Sequence, residues 1–156
     1  MKTLVMTFCC AVLAGSVVHQ QAAAWYGITP LHSLRADVER ILGKPSGTCL
    51  CEYKRDGDLV RVDYAGSPCG DEKAEHWNVR PDTVLTVTIH PKMVSPFANY
   101  STDSGTLAKT DDPELKGYAI YSSDTDGIAY HVTDEGKVFM IMYYGSSKDR
   151  TALRCK

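Results

Sequence analysis

The dipeptide Asp56-Gly57, set between Cys51–Arg55 and Leu59–Tyr64, narrows the choice of fold for this chain more than any other feature. Two strand-like runs separated by Asp-Gly signal a tight β-hairpin, because the favoured two-residue turn needs positive φ at both central positions. In the second run Val60, Val62 and Tyr64 fall on one side, Arg61 and Asp63 on the other. Val84–His90 alternates again, with Leu85, Val87 and Ile89 inward and Thr86, Thr88 and His90 outward. Tyr118–Ser123 and Gly127–Val132 flank Asp124-Thr125-Asp126, and Lys137–Tyr144 follows the turn Asp134-Glu135-Gly136. Short runs of period two joined by polar turns predict antiparallel pairing of about six strands.

One helix is legible beside them. Leu34, Val38, Ile41 and Leu42 recur at i, i+4, i+7 and i+8, while Asp37, Glu39 and Arg40 take the wet side. Ser33 stands where an N-cap belongs, Gly43 where a C′ glycine belongs, and Pro45 follows. A short amphipathic helix must lie on something, so the expected fold is a single α+β domain, one N-terminal helix packed on the antiparallel sheet. Gly66–Asp82, with Cys69 and Trp77, reads as a loop pinned by a disulfide. Pro91–Gly117 is long for a loop inside a compact domain, and an unresolved short element is expected within it. A faint echo links Val60–Tyr64, which leads to Cys69, with Val138–Tyr144, which leads to Cys155.

The first 24 residues set the compartment. Lys2 is their one charge, the run Leu4–Val18 is apolar but short for a bilayer span, and Ala22-Ala23-Ala24 supplies small residues before a cleavage point. These residues read as a secretory signal peptide cut after Ala24, and residues 25–156 as a secreted or periplasmic domain. Ser16 follows Leu13-Ala14-Gly15 where a lipid-bearing Cys would stand, which argues against a lipoprotein. Removing 24 of the 156 residues leaves 132, with 16 basic and 19 acidic side chains, a net charge of −3 and four cysteines. That balance speaks against a nucleic-acid-binding surface, and no integral membrane span is expected after cleavage.

Cys49, Cys51, Cys69 and Cys155 then form an even set in an oxidising compartment, read as two disulfides. Residues i and i+2 of a strand project in parallel, so Cys49 and Cys51 are each expected to bond one of the distant pair. A bond from there to Cys155 would tie the C-terminus to the first hairpin and close a loop of about 100 residues. Redox and zinc roles are disfavoured, since no helix pattern follows Cys51 and the histidines lack ligand spacing.

No catalytic, cofactor-binding or metal-binding residue is assigned. Nucleophile elbows, His-Glu-x-x-His and phosphate-cradling glycine loops are missing. Asp124-Thr125-Asp126-Gly127 lacks the later ligands of a calcium loop, and Asp111-Asp112-Pro113-Glu114 reads as solvated charge. His131 and His90 are the residues a small periplasmic hydrolase or ligand-binding enzyme would use, and they form the alternative. Aromatics are the stronger lead. In Lys137–Tyr144 both faces are apolar, Phe139, Ile141 and Tyr143 on one and Val138, Met140, Met142 and Tyr144 on the other. Either 91–117 covers one of them, or Tyr121, Tyr143, Phe139 and Ile141 form a protein-binding face. An envelope or extracellular protein would be the partner.

The segment Gly27–Pro45, a loop, a helix and the ending Leu42-Gly43-Lys44-Pro45, resembles the helix unit of small bacterial envelope proteins of the BamE/SmpA-like class. The same helix-then-strands order occurs in the β-lactamase inhibitor protein fold. Trp25-Tyr26-Gly27-Ile28, Pro30-Leu31-His32-Ser33, Trp77-Asn78-Val79 and Leu153-Arg154-Cys155 resemble a group of uncharacterised exported bacterial proteins. The resemblance implies a helix-plus-antiparallel-sheet fold and a habit of binding proteins, without naming an activity.

Overall fold

Asp56 and Gly57 both take positive φ, 55° and 96°, as the hairpin signal requires. In the computed structural model, which describes residues 23–46, 51–69, 77–100 and 107–156, this turn joins β1 (Glu52–Arg55) to β2 (Asp58–Tyr64). Beyond them come β3 (Val84–His90), β4 (Ser95–Pro96), β5 (Ala108–Asp111), β6 (Ala119–Ser123), β7 (Ile128–Val132) and β8 (Lys137–Tyr144). The strands form one antiparallel sheet in the order β1-β2-β3-β8-β7-β6-β5, with β4 paired to β8. Two helices complete the fold, α1 (Arg35–Leu42) and α2 (Ser147–Leu153).

The expected α+β class holds, but the strand count and the single helix do not. The sheet has eight strands instead of six. Its extra members, β4 and β5, lie inside 91–117, where two residues with a proline and the polar, fully exposed Ala-Lys-Thr-Asp offer no alternation to read. α2 escapes notice because none of its residues is buried, so it has no apolar stripe.

α1 lies on the sheet through Val38, fully buried, with Ile41 and Leu42 packed against the core. Its start differs from expectation. Leu34 is the N-cap, and its N–H donates to the Asp37 carboxylate at 3.0 Å. Ser33 Oγ instead accepts from the Thr29 N–H at 2.9 Å, one residue too early to cap the helix. Gly43, expected at C′, is the C-cap, with φ 83°, and donates its N–H to the Glu39 carbonyl.

The core is formed by Tyr53, Val60, Val62, Val84, Val87, Ile89, Tyr130, Val132, Val138 and Ile141 from one sheet face, with Ile28 and Val38 from above. Leu85, expected inward, is only half-buried. A register shift pairs Asp63 with Thr86 but Tyr64 with Val84, so the bulge sends Val84 into the core in its place.

Cys69 and Cys155 are bonded to each other, with Cα atoms 5.7 Å apart across 86 residues of sequence. This overturns the expected pairing of each with Cys49 or Cys51. Topology supplies the reason. β2 and β8 flank β3 and are both antiparallel to it, so they run parallel to each other and end at the same end of the sheet. The loops that leave Tyr64 and Tyr144 therefore start about 10 Å apart, two strand spacings, and a disulfide joins them. Cys51 is also disulfide-bonded. Cys49 and the expected export signal, as far as residue 22, lie outside the described residues. Among the described residues no helix is long and apolar enough to cross a membrane.

Candidate functional site

Residues paired across an antiparallel sheet point to the same face. Val87 opposes Tyr143 and Ile89 opposes Ile141 between β3 and β8. Ile141 opposes Tyr130 between β8 and β7, and Tyr130 opposes Tyr121 between β7 and β6. Tyr121, Ile141 and Tyr143 thus share the core face with Val87 and Ile89. Phe97, Tyr100 and Leu107 cover that part of it. Phe97 stacks on Tyr121 at 4.4 Å and meets Tyr130 edge-on at 5.6 Å, Tyr100 lies 6.2 Å from Tyr130, and Leu107 packs against the same core. Burial pushes the Tyr143 phenol up to about 12.

The opposite face carries a different set. Met142 lies between Thr88 and Ala129, Met140 beside His131, and His131 between Met140 and Ile120. Phe139 joins them through a bulge: β7 pairs His131 with Met140 but Val132 with Val138, leaving Phe139 as the extra residue. Its ring meets His131 at 6.0 Å and Tyr118 at 5.3 Å, both edge-on. Tyr118, Ile120, His131, Phe139, Met140 and Met142 are all partly exposed, around the buried Thr88 and Ala129. Of the four residues grouped from sequence as a binding face, Phe139 alone lies on this open side. The other three are on the core side, so the four do not make one surface.

At the margin of the open face sits an acid–imidazole pair. Asp112 Oδ2 is 3.4 Å from His131 Nδ1, with the Asp112 side chain 8% exposed and that of His131 14%. Asp112, read from sequence as solvated charge, is therefore largely enclosed. Its Oδ1 accepts the N–H groups of Glu114 and Leu115 at 2.9 and 3.0 Å, which shapes the turn 112–118 that joins β5 to β6. The Glu114 N–H above all, then those of Leu115 and the imidazole, hold the carboxyl below its ordinary range against the opposing effect of burial. His90 is exposed on the same open face, one residue beyond the pair Ile89–Ile141 and two strands from His131. Among the described residues no group of three or more His, Cys, Asp or Glu is placed to hold a metal ion.

No protein-family model matches the chain, and no curated protein matches it significantly. Among solved structures it is similar to the crystal structure of a DUF4309 family protein, YjgB, from Bacillus subtilis subsp. subtilis str. 168. The identity is 14% and the TM-score 0.49, over 77% of this chain and 83% of that one. A likeness so distant carries no weight for function, and none of the comparisons brings in the BamE/SmpA-like proteins.

Two features escaped the sequence reading although each has a local signature. Asp112-Pro113 is an acceptor followed by a proline with preset φ, the start of a tight turn. Ser146-Ser147-Lys148-Asp149 has the spacing of a capping box. In the structure Ser146 Oγ accepts from the Asp149 N–H at 3.1 Å and fixes the start of α2.

Proposed function

We propose that this is an exported, non-catalytic domain that binds another protein of the envelope or extracellular space across the open face of its sheet. The observation that carries this reading is the partly exposed cluster of Phe139, Tyr118, Met140, Met142 and Ile120 on the sheet face opposite the one that Val38, Phe97 and Tyr100 cover. Methionine and aromatic side chains are enriched where proteins meet, and thioethers adapt to a partner's contour at little strain. His131 and Ser122 intersperse polar groups among them, which suits a partner offering both apolar and hydrogen-bonding surface.

Photo-crosslinking tests the reading. A photoreactive residue at Met142, introduced into the exported chain, should capture one discrete partner, and Phe139→Asp should abolish the adduct. Capture that is equally strong from Lys109, at the far edge of the sheet, or unchanged by Phe139→Asp, would count against it. N-terminal sequencing of the recovered chain should begin at Trp25.

A second reading, a small-molecule hydrolase using His131, draws on the Asp112–His131 pair, in which a carboxylate can fix one imidazole nitrogen and leave the other available. The rings beside His131 belong to Phe139 and, beyond it, Tyr118, and neither is an ordinary nucleophile at neutral pH. Binding is the reading the face supports better.

A further inference from the structure

α2 is a helix without a buried side chain, and it is held by its ends instead. Ser146 caps it, and the Asp149 carboxylate meets His32 Nε2 at 3.1 Å. The Asn78 N–H donates to the Leu153 carbonyl at 2.7 Å, Trp77 and Arg154 pair as an isolated β-bridge, and Cys155 is bonded to Cys69. Tethered in this way, α2 does not need an apolar inner side. Ser147, Arg150, Thr151 and Arg154 recur at i, i+3, i+4 and i+7, the spacing of one helical stripe. With Trp77 they line an open cavity of about 350 Å³, at the small end of the range for ligand sites.

The charge of this corner runs against that of the chain. Residues 146–156 carry Lys148, Arg150, Arg154 and Lys156 against one acid, Asp149, in a protein with a net charge of −2. Asp149 is already engaged by His32 and Ser146. Arg150 keeps an ion pair with Asp124 at 2.9 Å and lies over the Tyr144 ring, while its Nε–H has no hydrogen-bond partner among the described residues. The Arg154 guanidinium makes no ion pair there, and its side chain is exposed. Thr151 Oγ1 donates to the Ser147 carbonyl at 2.8 Å, so toward the cavity it offers lone pairs. The lining thus combines two guanidinium groups, a hydroxyl donor, a hydroxyl acceptor and an indole.

We propose that this cavity binds a small organic anion. Arg150 and Arg154 hold its carboxylate or phosphate group, the Ser147 hydroxyl donates to the same group, and a flat apolar portion lies against the Trp77 indole. The residues that line the cavity are not those of the cluster proposed to bind a protein, and either assignment can stand without the other.

Titration of the purified, disulfide-bonded protein with benzoate, phenyl phosphate and inorganic phosphate at constant ionic strength tests this, read from the Arg150 Nε–H and α2 amide resonances. Saturable shifts are expected with benzoate or phenyl phosphate in the millimolar range or tighter. A preference for benzoate assigns a carboxylate head, and a preference for phenyl phosphate a phosphate. Arg154→Gln, an exposed change at the end of α2, should weaken binding roughly tenfold. Trp77→Leu should erase the advantage of the aromatic ligands over inorganic phosphate, and Lys148→Gln should change little. Shifts that never saturate, or binding equally strong in Arg154→Gln, would overturn the assignment.

Discussion

The Nδ1 atom of His131 faces the enclosed carboxylate of Asp112 at 3.4 Å, linking a turn at the sheet's edge to its third strand from that edge. Because the folded state holds the Asp112 proton affinity below that of the unfolded chain, its contribution to stability is complete above the ordinary carboxylate range. It disappears as pH falls through the depressed value. Asp112→Asn should therefore flatten the acid limb of the stability profile and move the onset of acid unfolding. Circular dichroism between pH 2 and 6, with a carbon NMR titration of the carboxyl, checks both.

Tyr143 has the opposite sign. Its phenol, raised by burial to about 12, favours the fold below the unfolded value, and this contribution is lost as pH climbs from about 10 toward 12. Absorbance at 295 nm should show a late step that is missing in Tyr143→Phe. Tyr144, also raised to about 12 by burial and by Asp124, supplies a second late step that remains in that variant.

Neighbouring residues of β8 should respond very differently to substitution. Ile141→Ala, at a position 6% exposed on the core face, should cost about 2–5 kcal/mol. Met142→Lys on the open face should stay within roughly 1 kcal/mol. Urea unfolding of the two variants tests the assignment of faces directly.

Gly127 should not tolerate a side chain. Its φ is 72°, and a Cβ there would run into the carbonyl of Tyr144 and the backbone of Ser146. Gly127→Ala should destabilise by about 2 kcal/mol or more, read as a fall in the urea midpoint.

Peptide mapping without reduction should recover Cys69 joined to Cys155. Cys155→Ser should lower stability by about 2–5 kcal/mol, the usual range for losing a native disulfide.

The regular parts of the fold were legible because their chemistry is local. The period of β8 matched its bounds, Asp56-Gly57 formed its turn, and Gly43 ended α1. What could not be read depends on contacts between distant residues. The two bulges that move Leu85 from the core and Phe139 to the open face arise from pairing with β2 and β7, and no period within one strand records them. Strand order decided the disulfide in the same way. The reading of both apolar faces of β8 anticipated that one of them could be covered by 91–117, and Phe97 and Tyr100 do so over Tyr121 and Tyr130. The Asp112–His131 pair and the basic face of α2 bring together residues that carry no shared motif.

The Cys69–Cys155 bond also determines how the molecule would carry a load. Tension applied at Lys156 divides at Cys155 between the backbone that leads to β8 and the sulfur bridge that leads to the exit of β2, so it is shared by the two strands that flank β3. Drawn from its C-terminal end, the sheet would be sheared along several hydrogen-bond ladders at once and would not unzip one rung at a time. Reduction of that single bridge would change the geometry of failure as well as its energy.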